Sequence, residues 1–152
     1  MWPWGWPVSE VQLPAFHSGD RYVMLGDQMM LTEVDTPRRA ATPGQPVDVT
    51  LRFLSLKPLV TDNVASVRIE SADGMWHVSS DDHPAGNAFP TLKWIAGSAV
   101  SDWRRLIVPT DGGPGRATGH LTVYDAFRED ILPPLDARMS DSAPLGEWAV
   151  AR

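Results

Sequence analysis

Apolar and polar residues alternate with a period of two in several separate stretches of this 152-residue chain. Val47, Val49, Leu51 and Phe53 alternate with Asp48, Thr50, Arg52 and Leu54. Ala65, Val67 and Ile69 share one phase of a second stretch, Val64 to Glu70. In a third, Arg116 to Asp125, Ala117, Gly119, Leu121 and Val123 oppose Thr118, His120, Thr122 and Tyr124. Such a period predicts strands with one buried face. Less regular strands are predicted at Arg21–Leu25 and Gln28–Asp35, broken at Gly26-Asp27, and at Met75–Ser79. Phe89–Ile95 reads as extended, Arg104–Val108 as a short strand stopped by Pro109, and Leu145–Ala151 as a last strand with Trp148 and Val150 on one side. Ala72-Asp73-Gly74 supplies a hairpin turn, and Thr110 to Gly115 (TDGGPG) a hairpin loop. Thr36–Pro46 and Ser80–Ala88 read as polar loops. Eight or nine short strands at this spacing predict an all-β chain, an antiparallel β-sandwich of immunoglobulin-like or jelly-roll type.

Two stretches fall outside that pattern. Residues 1–20 form an N-terminal arm that begins MWPWGWP, and residues 21–152 form one β-sandwich domain. Pro3 and Pro7 forbid a regular helix through the arm. Its indoles either fold back to plug one end of the sandwich or serve as interfacial anchors, since each has an apolar body and one N–H donor. The connection from 126 to 145 holds Pro133, Pro134 and Pro144 and could carry one helical turn in FREDIL. Connections of that length are usually functional or disordered, so it is a second candidate contact surface.

Composition narrows the function classes. Cys is absent, which removes disulfides, thiol nucleophiles and Cys-based zinc sites. The net charge is −6, and Lys occurs only at 57 and 93, against what a nucleic-acid binder needs. No stretch approaches the ~20 apolar residues of a membrane span. The N-terminus lacks a basic region followed by an apolar run. For a complete chain this predicts peripheral membrane association on the cytoplasmic face.

The turn and packing residues resemble a bacterial β-sandwich domain, the type appended to integral-membrane glycosyltransferase-like proteins. The matching positions are Leu25-Gly26-Asp27, Pro43-Gly44, Leu56 to Leu59, Ala72-Asp73-Gly74, Pro90-Thr91 with Trp94, and Gly97 with Asp102. Val108-Pro109, Pro114-Gly115 and Val123-Tyr124-Asp125 complete them, and the resemblance spans about residues 21–151. It implies a noncatalytic sandwich that works beside membrane proteins. The catalytic membrane region of such proteins has no counterpart here, so glycosyl transfer does not carry over.

Chemistry is sparsely written. No Gly-x-Ser-x-Gly elbow supports a nucleophile. The Gly-rich Asp111 to Gly115 lacks the Lys of a phosphate loop. His17, His77, His83 and His120 have no zinc spacing, and Ser80-Asp81-Asp82-His83 is better read as a solvated turn than as a cation site. No catalytic residue, metal or cofactor is expected. The leading expectation is a noncatalytic structural subunit docking on a membrane-protein complex, with bioenergetic complexes, photosynthetic or respiratory, as expected hosts, or on a membrane surface. Trp2, Trp4, Trp6, Pro7, Phe127, Ile131 and Leu132 are its candidate contacts. No nucleic acid and no small-molecule substrate is expected. The alternatives are a carbohydrate- or ligand-binding module, or an excised soluble domain. Among Trp76, Trp94, Trp103 and Trp148, Trp94 and Trp148 read as core. Trp103 reads as the best candidate for stacking a ligand.

Overall fold

The computed structural model describes residues 23–59, 61–85, 90–127 and 142–151. These form nine strands and one short 3₁₀ turn: β1 (Val23–Leu25), β2 (Met29–Asp35), β3 (Ala40–Ala41), β4 (Pro46–Ser55), β5 (Asn63–Ser71), β6 (His77–Asp82), β7 (Ala99–Ile107), β8 (Gly115–Asp125) and β9 (Ala143–Val150). They make two sheets, a four-stranded one ordered β1-β2-β4-β7 and a five-stranded one ordered β3-β9-β8-β5-β6. All pairings are antiparallel except β3 with β9, which is parallel. The arm residues Trp2, Trp4, Trp6 and Pro7, and Ile131 and Leu132 of the 126–145 connection, lie outside the described residues. Among the described residues no helix is long and apolar enough to cross a membrane.

The alternating stretches bury the phase the sequence predicts. Val47, Val49, Leu51 and Phe53 of β4 meet Ala65, Val67 and Ile69 of β5, and Ala117, Leu121 and Val123 of β8, in one core between the sheets. Trp94 and Trp148 are both buried in it. Trp94 leans on Phe53 with ring centroids 6.1 Å apart and planes tilted by 44°. Trp148 fills the space over Gly119, where a Cβ would come within 2.7 Å of the indole. Gly119 pairs across the ladder with Gly146, next to a register shift in β8. Side chains on both glycines would collide, one with Trp148 and the other with Arg39, whose guanidinium lies 4.6 Å from the Trp148 ring centre.

Four sequence expectations need correction. Of the segment expected to be extended, Phe89–Ile95, the described residues 90–95 do not form a strand: Lys93 N–H donates to the Pro90 carbonyl, and a 3₁₀ turn spans Thr91–Lys93. The buried positions there are Thr91 and Trp94, a spacing of three rather than two. Thr91 is anchored by donating to the Thr61 carbonyl and accepting from the Asn63 N–H, each at 2.8 Å. The strand expected at Arg104–Val108 begins five residues earlier, at Ala99. Its inward positions include Asp102 and Arg104, so a hydrophobicity pattern hides it. β6 covers His77–Asp82 rather than Met75–Ser79, extending into the expected loop, because it is an edge strand with almost no buried position. Finally, TDGGPG is not a hairpin loop. β7 and β8 belong to different sheets, so this segment carries the chain from one sheet to the other.

The Asp102–Arg104 pair joins the sheets along one side. Arg104 is 4 % exposed and Asp102 2 %. Arg104 Nε lies 3.1 Å from both Asp102 carboxylate oxygens, and one Nη lies 2.9 Å from Oδ2. The remaining guanidinium hydrogens donate to the carbonyls of Ala65 (2.8 Å), Ser80 (2.7 Å) and Asp82 (2.9 Å) on β5 and β6. All three guanidinium nitrogens therefore donate hydrogen bonds, and the β7 edge of one sheet is fastened to the β6 edge of the other.

Candidate functional site

Alternation along β7 sends Val100, Asp102, Arg104 and Leu106 inward. It sends Ala99, Ser101, Trp103, Arg105 and Ile107 to the outer face of the four-stranded sheet, where all five are exposed. Register with β4 makes rows across this face: Ile107 beside Pro46, Arg105 beside Asp48, Trp103 beside Thr50, Ser101 beside Arg52, and Ala99 beside Leu54. β2 adds Glu33 opposite Arg52 and Asp35 opposite Thr50, after a bulge at Thr32. The Thr32 hydroxyl donates to the Arg52 carbonyl at 3.1 Å.

Trp103 is the conspicuous member, with 58 % of its surface in solvent. Its indole is not loose. The Arg105 guanidinium carbon lies 5.2 Å from the ring centre, inside the range of a cation–π contact. Arg105 is itself held by Asp48, with Nε donating to Oδ1 at 2.8 Å and Nη2 to Oδ2 at 3.2 Å. That fork fixes the guanidinium plane. The hydrogen bond from Arg105 holds the Asp48 carboxyl below its ordinary range, the positive charge adding to it, and the same contact raises Arg105. One face of the indole is thus backed by a clamped cation, and more than half of the residue stays open.

A shallow cavity of about 200 Å³ lies on the same face, lined by Thr32, Arg52, Phe53, Leu54, Ala99, Val100 and Ser101. Leu54 and Ala99 give it apolar surface, whereas Thr32, Ser101 and Arg52 give it polar walls. Arg52 donates to Glu33 at 2.7 Å. The cavity is smaller than the ~300–1,000 Å³ of pockets that enclose a drug-sized ligand, so it offers a seat for a part of a ligand.

The other sequence candidates are dispersed. Phe127 follows β8 of the five-stranded sheet; it is exposed, and its N–H donates to the Asp125 carboxylate at 2.8 Å. The structure therefore does not group it with Trp103. Trp76 is half-buried and packs against the core. The Ser80–His83 residues go separate ways. Asp81 accepts from Ser66 Oγ (2.6 Å) and Tyr124 Oη (3.2 Å) on the outer face of the five-stranded sheet. The Asp82 carboxylate accepts from the His83 N–H (2.7 Å), and His83 Nε2 stands 3.6 Å from Asp62. Among the described residues no group of three or more His, Asp or Glu could hold a metal ion. Sequence reasoning missed Arg105, Asp48, Arg52 and Glu33. Extending the β7 alternation back to Ala99 would have placed Ser101, Trp103 and Arg105 on one face, but only the β4 register brings in Asp48 and Arg52.

No protein-family model and no curated protein matches the chain. Solved structures resemble its fold. The C-terminal domain of wzt superposes with a TM-score of 0.59 at 15 % identity, over 92 % of this chain and 83 % of that one. Part of the Pseudomonas fluorescens alkylpurine DNA glycosylase AlkC, bound to DNA containing an abasic site analog, superposes with a TM-score of 0.52 at 16 % identity. That match covers 82 % of this chain and 31 % of AlkC. At such identities the likeness concerns the fold alone.

Proposed function

We propose that this chain is a noncatalytic binding module, a β-sandwich of immunoglobulin-like or jelly-roll type that holds a carbohydrate on the outer face of its four-stranded sheet. The observation that carries the reading is Trp103, an exposed indole with the Asp48-paired Arg105 guanidinium over its ring. An aromatic face fixed in advance takes the apolar face of a sugar ring without first losing side-chain freedom. The neighbouring hydroxyls and ion-paired groups offer hydrogen bonds to the ring's hydroxyls. Nucleic acid, the ligand of the AlkC structure, fits poorly with a net charge of −6. A glycan array followed by calorimetry tests the proposal. Saturable binding lost in Trp103→Ala supports it, and binding that survives the substitution overturns it.

A second reading is an accessory subunit docking on a membrane-protein complex. Trp2, Trp4 and Trp6 favour it, as does Ile107, exposed four residues beyond Trp103 on the same face of β7. Aromatic and Arg residues are the usual anchors of such contacts. Deleting residues 1–7 and asking whether the chain still fractionates with membranes separates the two: retention without the arm defeats arm-mediated docking.

A further inference from the structure

We infer that the outer face of the four-stranded sheet takes an uncharged oligosaccharide, one ring on Trp103 and the next in the cavity beside Ser101 and Arg52; this rests on the carbohydrate reading above. The first support is spacing. Ser101 and Trp103 are next neighbours on one face of β7, about 7 Å apart along a strand. The cavity is lined by Ala99, Ser101, Leu54 and Arg52, and its Ser101–Arg52 row is next to the Trp103–Thr50 row on this face. A single ring cannot cover both, whereas consecutive rings of one chain can.

The second support is charge. The row on one side of Trp103 carries Arg105 paired with Asp48, and the row on the other carries Arg52 paired with Glu33. Both guanidinium groups that flank the indole are thus already neutralised by a carboxylate at 2.8 Å or less. An anionic ligand would have to displace those carboxylates, and a cationic one the guanidiniums. A hydroxyl both donates and accepts, so it can bond to either partner and leave the pairs intact. The apolar surface of Leu54 and Ala99 suits the carbon face of a ring.

Titration calorimetry with the full chain is the test, using malto-, manno- and cello-oligosaccharides of one to six residues and oligogalacturonates of matching length. In at least one neutral series the trimer is expected to bind ten-fold or more tightly than the monosaccharide, with no further gain beyond about three residues. Oligogalacturonates are expected to bind more weakly. Ala99→Phe fills the cavity from an exposed position, and should abolish the gain with length while keeping the Trp103-dependent binding of short sugars. Arg52→Gln should weaken trimer binding by a larger factor than monosaccharide binding, with circular dichroism confirming that both variants fold. Equal affinity of monosaccharide and hexasaccharide, an unchanged length dependence in Ala99→Phe, or preference for the uronates would each overturn this inference while leaving the Trp103 platform standing. Absence of binding by every saccharide would overturn both.

Discussion

Replacing Arg104 by Met keeps most of the apolar stem but removes the guanidinium that fastens β7 to β5 and β6. The variant leaves the Asp102 carboxylate buried without its cation, together with the Ala65, Ser80 and Asp82 carbonyls that Arg104 had satisfied. Removing one partner of a buried pair costs about 3–5 kcal/mol, most of it the penalty on the charge left behind. A domain of this size has a total stability of about 5–15 kcal/mol, so the loss takes about a fifth of it or more. The midpoint of thermal unfolding should fall by roughly 6–20 °C, at about 2–4 °C per kcal/mol. Urea unfolding should show the same loss with an unchanged slope, meaning that the compactness of both end states is unaltered. The double variant Asp102→Asn/Arg104→Met removes the stranded charge and should recover about 0.5–3 kcal/mol relative to the sum of the single changes. A loss below about 1 kcal/mol in Arg104→Met, or strict additivity in the double variant, would refute the assignment of this pair as the tie between the sheets.

Trp103→Ala should leave stability within about 0.5 kcal/mol while weakening glycan binding at least ten-fold by calorimetry. Trp94→Ala should do the reverse, costing about 3–5 kcal/mol for a core cavity and sparing affinity in whatever fraction stays folded; chemical denaturation reads it. Gly119→Ala drives a methyl into the Trp148 indole and should cost about 1–3 kcal/mol, seen as a lower urea midpoint. The depressed Asp48 carboxyl fixes the sign of a pH effect. Its contribution is complete above the ordinary Asp value, about pH 4, and is lost as pH falls through the lower folded value. Binding should therefore be insensitive to this group at pH 5–8 and fall below about pH 4, whereas Asp48→Asn should bind more weakly throughout and show no such acid step.

The strands legible in the sequence are those whose buried phase is apolar, β4, β5 and β8. β7 was cut short because two of its inward residues, Asp102 and Arg104, are charged, and only the β5 and β6 carbonyls explain why charge is tolerated there. β6 was displaced because an edge strand of His, Ser and Asp carries no alternation to read. The Phe89–Ile95 segment misled because Pro90, Thr91 and Trp94 suit an extended segment as well as a 3₁₀ turn, and the deciding anchor, Thr61 with Asn63, lies about thirty residues away. At the candidate site the same division holds. Trp103 could be singled out by its place directly after Asp102, just ahead of the strand expected at Arg104. Its clamp could not, because Asp48 and Arg105 meet only through a ladder that spans 57 positions.

The order β3-β9-β8-β5-β6 places β9 inside the five-stranded sheet, between β3 and β8. β9 also comes after every other described strand in the chain. A ribosome therefore delivers the strand carrying Trp148 only after both of its neighbours are made. Until then β8 presents an unpaired edge, and the hollow over Gly119 has no indole to fill it. Such long-range closure belongs to the slow, millisecond-to-second class of folding. Nascent chains halted before Ala143 should accordingly be protease-sensitive and prone to capture by chaperones, and protection should arrive late and all at once, as Trp148 docks.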